Sequence, residues 1–161
     1  MPQVVLHAMQ WLETKIPPPI VMLLMGIVAF AVAHLFPTLS FGIPLRTFAA
    51  STLVLVGVAL NLLPKLAFRR AGTTVNPLKP ASTNTLVTSG IYRHTRNPMY
   101  LGQCVILMGW VVYLHNIAAF AAVPAFMLYI TRFQILPEKR LLSARFPEEY
   151  AAFRKQVSRW L

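Results

Sequence analysis

Ser82-Thr83-Asn84-Thr85-Leu86-Val87-Thr88-Ser89-Gly90-Ile91-Tyr92-Arg93-His94-Thr95-Arg96-Asn97-Pro98-Met99-Tyr100-Leu101-Gly102 is the stretch on which the reading of this chain turns. It is polar, basic and rich in turn formers. Yet it lies between two apolar segments, Thr47 to Leu63 before it and Tyr100 to Leu114 after it, of the kind that enters a bilayer. Connections between buried segments are ordinarily short, so a polar insert of this size points to function.

Working outward, the composition supplies the frame. The chain has 161 residues, of which 57% are hydrophobic and 12% charged; its mean hydropathy is +0.59. That is far too apolar for an ordinary soluble domain and predicts an all-α polytopic membrane helix bundle, a single domain over residues 1–161. Fifteen Lys and Arg against four Asp and Glu give a formal charge of +11. In a membrane protein such an excess marks cytoplasmic loops lying against anionic lipid. Nucleic acid is not an expected partner, because no basic and aromatic surface module accompanies the charge. Cys104 is the single cysteine, which excludes an intrachain disulfide and a thiolate cluster. His7, His34, His94 and His115 are scattered without metal-ligand spacing, so no metal site is expected.

The pattern predicts four spans. Val4, Val5, Ala8, Met9 and Leu12 recur at helical spacing within residues 1–15, an amphipathic surface helix ended by Pro17-Pro18-Pro19. Spans are then expected from near Pro19 to Phe36, from Thr47 to Leu63, from Tyr100 to Leu114 and from Ile117 to Leu136. Asn61, inside the second, should face protein and hydrogen-bond to another helix. Lys65, Arg69, Arg70, Lys79, Arg93 and Arg96 place six of the basic residues around the long loop, whereas the His115-Asn116 turn has none. The positive-inside rule therefore predicts a cytoplasmic loop and cytoplasmic termini, in a bacterial inner membrane. Beyond the spans, Pro137–Arg145 and Pro147–Trp160 each open with proline, as helices can. In the second, Tyr150, Phe153, Val157 and Trp160 form an apolar face, the pattern of an interfacial helix.

The insert has chemistry to offer. Asn97 is a good helix cap and Pro98 a good first helical residue, so the third span should aim its amide end at the loop. That end suits a carboxylate or phosphate. Arg93, His94 and Arg96 add positive charge, Tyr92 and Tyr100 offer flat surfaces, and Glu138 follows the fourth span at matching depth. Together they suit a zwitterion bearing an aromatic base. Pairing of Glu138 with Arg140 or a loop arginine is the alternative.

Thr85-Leu86-Val87-Thr88-Ser89-Gly90-Ile91-Tyr92, Arg96-Asn97-Pro98-Met99-Tyr100-Leu101-Gly102, and Glu138 followed by Phe146-Pro147-Glu148-Glu149-Tyr150 resemble, in this order, the isoprenylcysteine carboxyl methyltransferase family and its bacterial and phospholipid-methylating relatives. The resemblance implies a membrane methyltransferase that uses S-adenosylmethionine and releases S-adenosylhomocysteine. It places a cytoplasmic cofactor pocket in the half spanning residues 69–161, with residues 1–68 carrying the amino-terminal helix and two spans. Carried over by position, the cofactor residues are Asn84, Thr85, Leu86, Val87, Tyr92, Asn97, Pro98, Met99, Tyr100 and Glu138, and the residues assigned to catalysis are Arg96, Gln134 and Glu138. Two positions differ from the family pattern: Asn97 replaces the usual histidine before the proline, and Gln134 replaces an arginine one turn before the glutamate. The expected partners are membrane lipid and a lipophilic acceptor, with no obligate protein partner. A phospholipid-amine or small-thiol acceptor is the alternative within the superfamily, and a noncatalytic scaffold or sensor the alternative outside it.

Overall fold

The computed structural model describes residues 13–40, 42, 44–70 and 86–161, and among them it is built of helices. The expected surface helix lies, over residues 1–12, outside the described residues, as do Asn84 and Thr85. Helix α1 (Pro18–Leu35) opens on the proline run as expected, since a proline in the first turn lacks only an N–H that would have had no partner there. Helix α2 (Arg46–Arg70) carries Pro64 inside it. Helix α3 (Pro98–Leu114) follows the insert. These three are joined by α4 (Ala122–Ile130), α5 (Leu136–Arg145) and α6 (Pro147–Gln156).

Three helical runs, Pro18–Leu35, Arg46–Arg69 and Ala118–Arg145, are long and apolar enough to cross a membrane. With 17 residues, α3 rises about 26 Å, the lower end of what spans the hydrocarbon layer. Large apolar side chains on α1 and α2 face outward, Leu23 at 61% exposure and Leu55 at 70%, as lipid-facing surfaces require. The protein is an integral membrane helix bundle.

Helices α2 and α3 form the tightest seam. Gly57 meets Gly102 and Ile106, while Gly109 meets Ala50 and Val54, so the two helices run antiparallel. A Cβ on Gly57 would stand 2.6 Å from the Gly102 carbonyl oxygen. Small residues here let backbones touch, which is how helices associate where lipid supplies no hydrophobic drive. Asn61 packs against Gly102 as expected of a polar group facing protein. Its hydrogen bond differs from the expectation: Nδ2 donates to Gly57 O of its own helix at 3.0 Å.

The chain after His115 departs from the expected break at Leu136. A 3-10 turn (Ala118–Ala121), α4, a π-turn (Thr131–Ile135) and α5 make one continuous rod. Pro137 has no N–H and leaves the Phe133 carbonyl free. The π-turn absorbs the mismatch, with Leu136 N donating to Thr131 O. The freed Phe133 oxygen accepts the Thr14 amide at 2.9 Å. Pro137 stands in the first turn of α5, as expected, and it also creates an acceptor for the segment before α1.

Candidate active site

Where the rod, the start of α3 and the insert converge, a cavity forms. Leu86, Val87, Tyr92, Arg96, Asn97, Pro98, Met99, Tyr100 and Glu138 line it. Each of these was expected from the sequence. Gly90 makes the insert's turn possible: its φ of +64° is a conformation side chains rarely adopt, and the 3-10 turn it opens (Gly90–Arg93) carries Tyr92 inward. Tyr92 meets Phe68 at the end of α2 edge to face, with ring centroids 5.7 Å apart. Burial raises the Tyr92 hydroxyl well above its ordinary value and the Glu138 charge adds to the shift, so this phenol stays protonated.

Glu138 is held by a neutral group. Tyr100, in the first turn of α3, donates its hydroxyl to Glu138 Oε1 at 2.5 Å. The alternative pairing with Arg140 is not what forms, because Arg140 is engaged by Glu13. A side-chain nitrogen of Arg96, Nε, is buried without a protein partner among the described residues. The start of α3 adds two further donors: Leu101 N makes the first intrahelical bond, to Asn97 O at 2.9 Å, which leaves Met99 N and Tyr100 N without acceptors inside the helix. Among the described residues, one carboxylate without a cation and a set of donors without an anion share one cavity.

Asn97 stands at the cap position but does not cap. Its φ of −130° and ψ of 55° turn the amide away from the helix amides. Nδ2 instead donates to Arg159 O at 2.9 Å, Thr95 Oγ1 donates to the same carbonyl at 3.2 Å, and Arg96 N donates to Ser158 O at 3.1 Å. The extended tail after α6 thus straps the insert in place. For this reason α6 ends at Gln156 rather than running to Trp160, and Val157 is already extended.

Gln134 is not brought to the cavity. Its side chain is buried, and Nε2 donates to Ile16 O at 2.9 Å. Several lining residues were not expected: Phe68, Ile135, Lys139, Leu142, Phe146, Tyr150 and Phe153. The apolar face of α6 was visible in the sequence, but Tyr150 and Phe153 close the cavity against Leu86 and Tyr92 instead of lying on lipid. Nothing local marks that choice.

The matching family model is that of phospholipid methyltransferases, over residues 45–149, more than half of the chain. The chain belongs to the phospholipid methyltransferase family. It is therefore a membrane methyltransferase, and the matched residues run from the start of α2 into the first turn of α6, which includes every lining residue named above except Tyr150 and Phe153. The chain is also similar to an uncharacterized protein of Haemophilus influenzae, 40% identical over 63 residues that make up 39% of this chain and all of that protein.

Proposed function

We propose that this methyltransferase takes its methyl group from S-adenosylmethionine in the cavity around Glu138 and delivers it to an acceptor presented by the membrane. The observation that carries the reading is a pair of unmet groups: among the described residues Glu138 is bonded by one neutral hydroxyl, and Arg96 Nε is buried without an acceptor. A buried donor left unbonded costs about 1–3 kcal/mol, so an anionic ligand group at Arg96 relieves a standing penalty. The residues present fit an amino-acid-bearing nucleotide. Arg96 and the first-turn amides of α3 receive its carboxylate, Glu138 its ammonium or ribose hydroxyls, and Phe68, Tyr92, Tyr150 and Phe153 its base.

Bound there, the cofactor supplies a methyl group on a positively charged sulfur, which a nucleophile takes by in-line displacement. The chain's share is alignment and exclusion of water. The aromatic and aliphatic lining keeps the site dry, and the tail strap fixes Arg96 and Asn97. Asn97 and Gln134 stand where the prenylcysteine enzymes have histidine and arginine, and here both amides are used to hold other parts of the chain together. A phospholipid amine is therefore favoured as acceptor over a prenylcysteine carboxylate, and the family description supports it. Glu13, α6 and the cavity lie at one end of the bundle. With the positive-inside rule this end is cytoplasmic, in an inner membrane, and residues 1–161 work as one domain.

The test is transfer of a radiolabelled methyl group from S-adenosylmethionine into extracted lipid by the detergent-purified protein. Label in an amine-bearing phospholipid, abolished in Glu138→Gln, supports the reading. Labelling unchanged in that variant contradicts it.

A further inference from the structure

A second concavity lies toward the opposite end of the bundle. Helices α1 and α2 both lean on α3 and scarcely meet each other, and this leaves a groove of about 790 Å³ between them. Its size falls within the roughly 300–1,000 Å³ of ligand sites. Leu23, Ile27, Leu55 and Ile106 give it apolar walls. An aromatic row forms one side: Phe30 stacks on Trp110 with centroids 6.5 Å apart, and Trp110 on Tyr113 at 5.8 Å. Trp110 is fixed there by its indole N–H, which donates to Gly26 O at 3.0 Å.

Arg46 lies beside Tyr113, a residue of the groove wall. Its guanidinium carbon lies 5.6 Å from the Tyr113 ring centroid, at the end of the aromatic row. Resting one face on a ring leaves the planar edge of N–H donors available. The chain's four acidic residues are Glu13, Glu138, Glu148 and Glu149, and all belong to the cavity end. Among the described residues no carboxylate is paired with Arg46.

The dimensions select the occupant. From Arg46 to Leu55, the stretch of α2 that borders the groove rises about 14 Å, close to half of a hydrocarbon layer of about 30 Å. That is one leaflet. We infer that the groove is a binding site for an anionic phospholipid of that leaflet, with an acyl chain along Trp110 and Tyr113 and the phosphate on Arg46. The lipid is a ligand and not the methyl acceptor: Arg46 and Phe68 are about 33 Å apart along α2, so its headgroup stands a membrane's thickness from the cavity. A bound chain fills the gap between α1 and α2 and braces the seam that carries the start of α3.

Bromine-labelled acyl chains quench tryptophan on contact. The experiment titrates brominated phosphatidylglycerol and brominated phosphatidylcholine into the protein in which Trp11 and Trp160 are replaced by Phe, so that Trp110 reports alone. The account expects half-quenching at a roughly fivefold lower mole fraction of phosphatidylglycerol, and loss of that preference in Arg46→Gln but not in Arg69→Gln at the other end. A thermal unfolding series without brominated lipid runs alongside, in which phosphatidylglycerol should raise the midpoint of wild type more than that of Arg46→Gln. Equal quenching by both lipids, or a preference that survives Arg46→Gln, overturns the inference. So does a lack of quenching by either lipid with a dimer detected, which would give the groove to a second copy.

Discussion

Two carboxylates meet the same helical rod and are treated in opposite ways. Glu13 lies against its outer side, where Arg132 donates to Oε1 at 2.7 Å and Arg140 engages Oε2. Burial alone would raise the Glu13 carboxyl; hydrogen bonds and charge from the two arginines more than offset it and hold the group below the ordinary carboxylate range. Glu138 lies between those arginines in sequence, yet among the described residues it receives only the Tyr100 hydroxyl. The difference teaches what each is for. A carboxylate saturated by cations is a fastening, and here it fastens the segment before α1 to the π-turn, together with Thr14 N to Phe133 O and Gln134 Nε2 to Ile16 O. A carboxylate given one neutral donor keeps acceptor capacity for something that arrives.

The contrast can be broken most severely at the donors that face Glu138. Replacing Arg96 by Gln removes the charged group whose Nε has no acceptor among the described residues. Affinity for S-adenosylhomocysteine should fall about 10- to 100-fold by calorimetry, the worth of a charge-assisted hydrogen bond, while thermal stability holds or rises. A loss of stability with unchanged affinity would make Arg96 a structural residue.

Next in size is the seam that holds the start of α3 still. Gly102→Ala drives a methyl group into the Gly57 carbonyl, 2.7 Å from the new Cβ, and into the Asn61 side chain. Overpacking of this kind costs about 1–3 kcal/mol, read as a lower unfolding midpoint in detergent.

The fastening sharpens the comparison through pH. Because the folded state lowers the Glu13 carboxyl from its ordinary 4.5, the unfolded chain binds the extra proton, and the stability contributed by Glu13 is present above that value and lost as acid titrates the folded group. Wild type should therefore lose more stability than Glu13→Gln on going from neutral pH into the acid range. Parallel curves would show that the clamp adds nothing.

The smallest effect is expected at Tyr100→Phe. It removes one neutral hydroxyl from Glu138, worth about 1 kcal/mol, so affinity should change by about fivefold and the fold should be kept.

Much of this was legible in the sequence because it is local. Span positions follow from apolar runs, the start of α3 from Asn97-Pro98, and the lining by Tyr92, Tyr100 and Glu138 from motif order. What the sequence hides is long-range or arises from one missing atom. Nothing near Asn97 says that its amide will choose a carbonyl 62 residues on. Pro137 reads as a helix start, and only the structure shows the π-turn that lets the rod continue. The apolar face of α6 is the same for a helix on lipid and one over a cavity. Gln134 carries the motif's position without reaching the site, since the segment before α1 claims its amide.

The most direct test sets the two carboxylates against each other: calorimetric titration of S-adenosylmethionine into wild type, Glu138→Gln and Glu13→Gln, each shown to be folded. The account predicts that Glu138→Gln abolishes binding at concentrations that saturate wild type, while Glu13→Gln binds within a few-fold of wild type and unfolds at a lower temperature. Equal affinities in Glu138→Gln and wild type, or binding lost only in Glu13→Gln, would contradict the assignment of the cavity as the cofactor site.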